Sequence, residues 1–512
     1  MKRLIYVIFL VLPLLASSQN MYNLTDLFEN NPSGTARFVG MGGAMGALGG
    51  DLSVMGTNPA GTAIYRSSDF NLTGMYDYVT NNATFKGKSI PANSDALGLS
   101  SMGFILALEI DDSPIKYFNF GGNFRRKSSI NSKFVMDGPS ESFSQLYVIN
   151  DLYKQNPFDI YNINSEMYSG LGLNWLTLLA ADAGITDADG NFLINPYDGL
   201  PVYIPTNFGY YSEQRGSLDV YDMNISANIN DRFYVGATLG YHRLDYSRTS
   251  CYYEDDELGE IYSLNNDYRI IGTGYDFKLG VICRPFKYSP FRVALSMHTP
   301  VFYDLMDVSS ASMYSPYDEG YKGYKGYSTN DTECYGDDFY TSYRFRTPWK
   351  FGAAMSYTFG RFLALDAEYE YSDATAASFT NGYDIDKQQN YEISCNMKPQ
   401  HTLRVGAEFM IDKFAMRIGY NRITAPFSSE AYKCIDNASI VDTSTEYFNK
   451  YDKDIATIGF GYAGKHLYFD VAYMYYMYNS DFYPYYDKEY ANPVTKVQTE
   501  GHSIYAGIGV RF

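Results

Sequence analysis

Read as an extended chain, the stretch TLRVGAEFMI places Leu403, Val405, Ala407, Phe409 and Ile411 on one face and Thr402, Arg404, Gly406 and Glu408 on the other. The next stretch repeats the pattern, with Phe414, Met416, Ile418 and Tyr420 set against Lys413, Arg417, Gly419 and Asn421. Alternation with period two marks a sheet with two unlike faces, and the few residues between the stretches predict a tight hairpin. The same test predicts strands near 68–79, 97–109, 115–124, 216–228, 231–245, 268–284, 289–303, 338–357, 361–372, 400–411, 413–424, 453–463, 465–478 and 500–512, about fourteen in all. Their connections alternate: short ones near DDSP, ND, RPFKYS, FG, IDK and GK are interleaved with long ones.

Short turns at one end and long loops at the other predict an all-β fold, an even-stranded antiparallel barrel crossing an outer membrane. The final SIYAGIGVRF puts Ile504, Ala506, Ile508, Val510 and Phe512 on one face, and its last residue is similar to the terminal aromatic of outer-membrane barrels. The polar faces carry Asp366, Glu368, Glu370, Arg404, Glu408, Arg417, Arg422, Asp470 and Arg511. A basic side chain facing lipid at mid-depth costs about 2–4 kcal/mol, so these charges are expected to line the lumen. There Glu368, Arg404, Glu408 and Arg417 either belong to a structural ion-pair lattice or meet a ligand directly.

The first residues, MKRLIYVIFLVLPLLASSQ, carry Lys2 and Arg3, an apolar run, and small residues Ala16 and Ser18 ahead of Gln19, the layout of a secretory signal over 1–18. No later apolar run reaches the roughly 18–20 residues of a membrane-spanning helix, so a bilayer would be crossed by strands. Tyrosine is abundant (53), tryptophan scarce (2) and charged residues make up only 19%, which suits a large β-protein with aromatic girdles. Losing Lys2 and Arg3 takes the formal charge from −18 to about −20, a surface that disfavours nucleic acid. Cys251, Cys283, Cys334, Cys395 and Cys434 are odd in number and widely spaced. That pattern indicates no metal site and no complete disulfide framework, while leaving room for one or two loop disulfides. No cofactor is indicated.

A barrel of about fourteen strands encloses a lumen too wide for its own side chains to fill, and the small-residue-rich segment 19–67 is the natural filling. Its GMGGAMG run is a poor dinucleotide fingerprint, with Met45 where the third glycine belongs and no strand before it. The glycines instead predict close packing of this segment against the wall. The stretch GTARFVGMGGAMGALGGDLSVMGTNPAGTAIYRSSDFNLT resembles the N-terminal hatch of the FadL family of outer-membrane transporters for long-chain fatty acids and other hydrophobic molecules. In that family an Asn-Pro-Ala turn, here Asn58, Pro59 and Ala60, closes the hatch ahead of the first strand. The stretches TPWKFGAAMSYTFG, ALDAEYEYSD and HTLRVGAEFMIDKFAMRIGY are similar in style.

The resemblance implies a hatch over 19–67 inside a fourteen-stranded barrel over 68–512. It also implies passive uptake of a hydrophobic molecule, released sideways into the membrane through an opening at a kinked third strand. Gly121 and Gly122 in IKYFNFGGNFRRKS are the candidates for that kink, although a glycine pair in a strand also marks an ordinary bulge or a close backbone approach.

The longest loop, about 125–215, contains Leu171, Leu173, Trp175, Leu176, Leu178 and Leu179 at helical spacing. Such a patch is either an outer capture site for a greasy ligand or the loop's own small core. The acidic run Glu254, Asp255, Asp256, Glu257 and Glu260 lacks the ordered spacing of a calcium loop and reads as a solvated loop. The expected partners are a hydrophobic small molecule of the long-chain fatty acid class and the outer-membrane lipid.

The alternative is an interaction protein, because barrels of this type include PorV-like subunits that present secreted proteins to a surface machinery, with partners the sequence does not name. Haem uptake calls for His or Tyr ligands in outer loops, whereas His242, His298, His401, His466 and His502 fall in or beside predicted strands. A hydrolase needs a nucleophile and base in contact. His466 and Asp470 share a face but sit about 13 Å apart along a strand, so no enzyme is expected.

Overall fold

The computed structural model of the chain describes residues 20–512 apart from 29, 142, 160–172, 186–204, 258, 316–326, 329–338, 382–383, 434, 436–440 and 488–491. The predicted signal segment at 1–18, together with Leu171, Cys334 and Cys434, lies outside the described residues. Fourteen antiparallel strands close into a barrel, as the alternation predicts. They are β1 (Asp69–Phe85), β2 (Lys88–Glu109), β3 (Ile115–Pro139), β4 (Asn207–Ile229), β5 (Phe233–Asp256), β6 (Gly259–Cys283) and β7 (Arg292–His298 with Phe302–Tyr314). The remainder are β8 (Phe339–Arg346 with Lys350–Phe359), β9 (Leu363–Asp373), β10 (Pro399–Ile411), β11 (Phe414–Ile423), β12 (Tyr447–Ala463), β13 (Leu467–Tyr483) and β14 (Thr495–Arg511). Closure is the pairing of β1 with β14 from Asp69↔Arg511 to Thr84↔Lys496. The breaks in β7 and β8 contain Pro300 and Pro348 and face each other across the ladder, as expected of residues that lack the N–H a ladder uses.

One end of the barrel turns tightly. Between β4 and β5, Asn230 and Asp231 both hold left-handed backbone, with φ of 54° and 52°, the geometry that two-residue hairpins require. At the other end the strands outrun the alternation. The β1–β2 hairpin continues to Lys86 and Gly87, and β5 runs to Asp256 and β6 from Gly259, where the pattern predicts long loops. Likewise β3 reaches Pro139 and β4 begins at Asn207, so the longest connection is 140–206 and not 125–215. Beyond the bilayer both faces of a strand meet water or other loops. The hydrogen-bond ladder therefore persists after the apolar alternation has lapsed.

The outer face is apolar, with Ile418, Ile458, Phe460, Val471 and Ile504 unburied on it. Asp366, Glu368, Glu370, Arg404, Glu408, Arg417 and Asp470 are buried inside the barrel, and Arg511 lies 3.3 Å from the buried Asp69. Arg422 is the exception to the expected lining. On β11 the odd positions Arg417, Gly419 and Asn421 face inward, so Arg422 points out and pairs with Asp452 and Asp454. Facing lipid at about mid-depth, Ile458→Arg should lower the barrel's folding free energy in bilayers by about 2–4 kcal/mol. Urea titration in phospholipid vesicles measures this, and an unchanged midpoint would mean that this face does not meet hydrocarbon.

Candidate functional site

Residues 20–66 run inside the barrel as a chain of short turns. The first is a 3-10 turn, Met21–Phe28, which packs its apolar side chains against an inward-facing cluster that includes Leu218, Leu244, Ile270, Leu305 and Phe345. Tyr22 stacks on Phe427 at 4.9 Å and donates to Asn449 Oδ1 at 3.3 Å. The short helix α1 (Ala36–Gly40) follows, its first turn capped by the Thr35 hydroxyl, which accepts from Phe38 N at 3.1 Å. Asp51 caps the next 3-10 turn by accepting from Ser53 N, and it also takes the Thr35 hydroxyl.

Asn58, Pro59 and Ala60 form the last of these turns. Pro59 occupies the first helical position, where its missing N–H costs nothing. The Asn58 carboxamide works in both directions: Oδ1 accepts from Ala60 N at 3.2 Å and Nδ2 donates to Gly46 O at 2.6 Å. The wall makes room for this turn with glycine. A Cβ on Gly280 would sit 1.9 Å from Asn58 Oδ1, and one on Gly236 would sit 2.3 Å from Pro59 O. On the opposite side a Cβ on Gly406 would lie 2.4 Å from Met41 O, and one on Gly419 would lie 2.3 Å from Gly42 N. The glycine-rich run is thus packed against glycines of β10 and β11.

Charged groups fasten the same segment. Arg37 grips Glu408 with two parallel bonds of 2.9 Å, Glu408 also takes Arg417 Nε at 2.6 Å, and Arg417 reaches Asp470 at 2.6 Å. Next to this relay Arg404 bonds Glu368 at 2.7 Å and Glu370 at 3.2 Å, and Glu370 accepts from Asn30 at 2.7 Å. Asp366 receives the backbone N–H groups of Ala47 and Leu48. Glu368, Arg404, Glu408 and Arg417 therefore come together as one lattice, and its free valences hold the N-terminal segment.

No register shift of β3 falls at Gly121 or Gly122; the shifts lie between Ile115 and Tyr117 and between Arg126 and Ser128. Gly121 is in regular register with Ile105 on one side and Asn224 on the other, and Gly122 with Phe104 and Met223. Gly121 serves close approach instead, because a Cβ there would lie 2.6 Å from Met55 Cε. The pairing of β2 with β3 stops at Ser101↔Arg125. Above that point Lys88–Ser100 stay with β1 and Arg126–Pro139 stay with β4, leaving a seam in the wall. A register shift flanks the seam on each side, at Ser100 in β2 and at Lys127 in β3. Side chains close the seam in place of the ladder: Asn81 Nδ2 donates to Ser132 Oγ and Lys133 O, and Ser94 donates to Asn131 O.

Both shifted residues bond the N-terminal segment, Ser100 Oγ donating to Gly34 O at 2.7 Å and Lys127 Nζ to Leu27 O at 3.2 Å. Behind the seam is a polar cavity of about 110 Å³ lined by Asn81, Ser128, Ser129, Lys450, Lys453 and Thr499. Beside the last β2–β3 pair, the buried Ser101 Oγ and both polar atoms of the Asn123 amide have no partner among the described residues.

The predicted outer patch is not a surface. Leu173, Trp175, Leu176 and Leu179, on and beside helix α3 (Trp175–Asp182), are buried at the loop end of the barrel. They share a cluster with Leu146 and Ile149 of α2 (Leu146–Gln155), Phe134, Phe208 and Phe482. Glu254 in the acidic run is also buried, accepting from Ser144 Oγ, Gln145 N, Tyr252 OH and Tyr262 OH. Burial raises its carboxyl above the usual range, against those four donors.

Sequence reasoning missed Ser100 and Lys127, which carry no compositional mark. The wall glycines were legible, since Gly406 and Gly419 stand on the inward register of the alternation from which the strands were read. Replacing Arg37 by Ala should leave the barrel heat-resistant but weaken the segment's attachment by about 3 kcal/mol, the scale of charge-assisted bonds. Ion conductance in planar bilayers should rise, and an unchanged conductance would show that this pair restrains nothing.

No family model and no curated protein sequence matches this chain. Among solved structures, a FadL homologue from Pseudomonas aeruginosa aligns over 94% of this chain and 99% of its own, with TM-score 0.54 at 13% identity. A deltaS2 mutant of the TodX monoaromatic hydrocarbon channel aligns over 94% of this chain and 100% of its own, with TM-score 0.53 at 10% identity. The chain has the fold of these FadL-type barrels, and its closed sheet and apolar outer face are those of an outer-membrane protein.

Proposed function

We propose that this protein is an outer-membrane channel for hydrophobic molecules, in which residues 19–67 act as a hatch and the β2–β3 seam is the lateral exit. The observation that carries the reading is the pair of bonds from the seam to the hatch. Ser100 and Lys127 mark the two irregular strand positions beside the seam, and each is tied to a hatch carbonyl. A shift of the segment Leu27–Gly34 breaks both bonds together and frees the seam for passage. On the far side Arg37, Glu408 and the glycine contacts hold the rest of the hatch to β10–β12, so the two halves of the hatch have different tethers.

The apolar cluster around Met21–Phe28 offers the greasy half of the route. The cavity behind the seam, with Lys450, Lys453 and two serines, offers a polar half. Together they fit an amphipathic molecule with a long apolar tail and an anionic head, the long-chain fatty acid class. One similar structure is described as a monoaromatic hydrocarbon channel; such hydrocarbons lack an anionic head, and the polar lining here favours the fatty acid.

The test is uptake of oleate into the lipid of proteoliposomes. Asn58→Ala with Pro59→Gly should keep the heat-resistant barrel and slow uptake several-fold by loosening the turn that sets the hatch. Lys127→Met should change the rate without changing stability of the wall. Uptake equal to wild type in both variants would reject the hatch. Mass spectrometry of molecules retained by the purified barrel should show an enriched fatty acid; a stoichiometric protein with no apolar ligand would contradict a transport role.

A further inference from the structure

The outer wall carries a feature that the route for a hydrophobic ligand does not use. On the outer face of β3 to β7, five aromatic residues are consecutive ladder partners: Phe124 opposite Tyr221, Tyr221 opposite Tyr241, Tyr241 opposite Tyr275, and Tyr275 opposite Phe302. The first three pairs have ring centroids 5.3, 5.9 and 5.3 Å apart. Two residues nearer the long-loop end, the outward positions become charged, with Asp219, Arg243, Asp304 and Arg344 joined through Thr273 in the same ladder. Arg243 stands ten residues along β5 from Phe233. At 3.3 Å per residue and a tilt near 40°, that is about 25 Å from the short-turn rim, the height of a barrel's apolar band. On β5, Tyr241 therefore stands near the upper edge of the hydrocarbon and Arg243 at headgroup level, while the tilt of the strands sets their ladder partners at other heights.

Arg243, Arg269, Thr273, Asp304 and Arg344 line one concavity on this outer wall. Arg269 is held by Asp245 at 3.0 and 3.1 Å, and Arg344 by Asp304 at 3.0 Å. Arg243 and the neighbouring Arg346, which stands opposite Phe302, are outward and exposed, and among the described residues neither has an ion-pair or hydrogen-bond partner. The other outward arginines of the wall are matched: Arg126 with Asp219, Arg215 with Glu213, and Arg422 with Asp452 and Asp454. Arg346 stands in the row of Phe302 and outside the concavity, so among the described residues Arg243, flanked by the matched Arg269 and Arg344, is the guanidinium of this concavity left to take an anion from outside the protein.

We propose that this concavity binds the phosphate of a phosphorylated lipid of the outer leaflet. The fixed fork of Arg243 takes two phosphate oxygens, as guanidinium geometry favours. Arg269 and Arg344, set in position by Asp245 and Asp304, add positive charge on the far side of the concavity. Below the charges the acyl chains lie over Leu239, Phe277 and Leu279, which are outward and unburied. The lipid is thereby fixed on β5–β8, away from the seam between β2 and β3.

The experiment is native mass spectrometry of the detergent-purified full chain titrated with bis-phosphorylated lipid A, dephosphorylated lipid A, or inorganic phosphate. Wild type should retain bis-phosphorylated lipid A and not its dephosphorylated form. Arg243→Ala should weaken retention about tenfold, the scale of one lost charge-assisted contact. Arg243→Lys should retain part of the affinity, and Arg422→Ala, on the far wall, should retain all of it. Heat-modified gel mobility confirms that each variant is folded. Equal binding of the dephosphorylated lipid, equal affinity of Arg243→Ala, or displacement by millimolar inorganic phosphate would each overturn the assignment.

Discussion

In hydrocarbon every backbone N–H and C=O must find a partner within the protein, and this requirement governs the whole structure. Fourteen strands meet it by closing on themselves, with Asp69 of β1 opposite Arg511 of β14. The closure is complete at the short-turn end and incomplete toward the loops, where β2 and β3 part above Ser101 and Arg125. A parted ladder in a membrane protein has to be satisfied by something else. Here side chains of Asn81 and Ser94 supply the missing bonds to β3, and the N-terminal segment takes up Ser100 and Lys127. The two irregular strand positions beside the seam are thus the ones bonded to the N-terminal segment.

The same closure produces the lumen, and the lumen dictates its filling. Charges excluded from the lipid face collect inside and pair: Arg404 with Glu368 and Glu370, Arg417 with Glu408 and Asp470. Removing one member of such a pair leaves its partner buried without compensation, so the lattice is intolerant of single losses. The lattice is incomplete without the N-terminal segment, because Glu408 is shared with Arg37 and Glu370 with Asn30. Glycine does the remaining fitting. Gly236, Gly280, Gly406 and Gly419 bring the wall so near to the segment that a single methyl group at any of them would collide with it.

The strands were legible because lipid on one side and a polar lumen on the other impose alternation residue by residue. That signal ends at the membrane edge, which is why the upper parts of the β1–β2 and β5–β6 ladders, up to Gly87 and to Asp256, read as loops. It also fixes parity strictly, and Arg422, one place off the register of Arg417 and Asn421, faces out for that reason. The Asn58–Ala60 turn was legible from proline and asparagine chemistry. The register shift at Lys127 was not, because one unpaired residue leaves no trace in composition while the conspicuous Gly121–Gly122 pair sits in a regular ladder. The helical leucines of the long loop showed that they are apolar, and only the packing with Phe134 and Phe482 showed what covers them.

The most direct measurement is oleate transfer by a barrel whose seam can be shut and reopened. Asn81 Nδ2 lies 2.8 Å from Ser132 Oγ across the seam, so Asn81→Cys with Ser132→Cys, in a background without the native cysteines, puts a thiol at each end of that contact, and the disulfide-linked fraction is isolated after oxidation. Oxidation should stop transfer and reduction should restore it to the level of the cysteine-free parent. Equal transfer in the oxidised and reduced forms would contradict lateral release between β2 and β3.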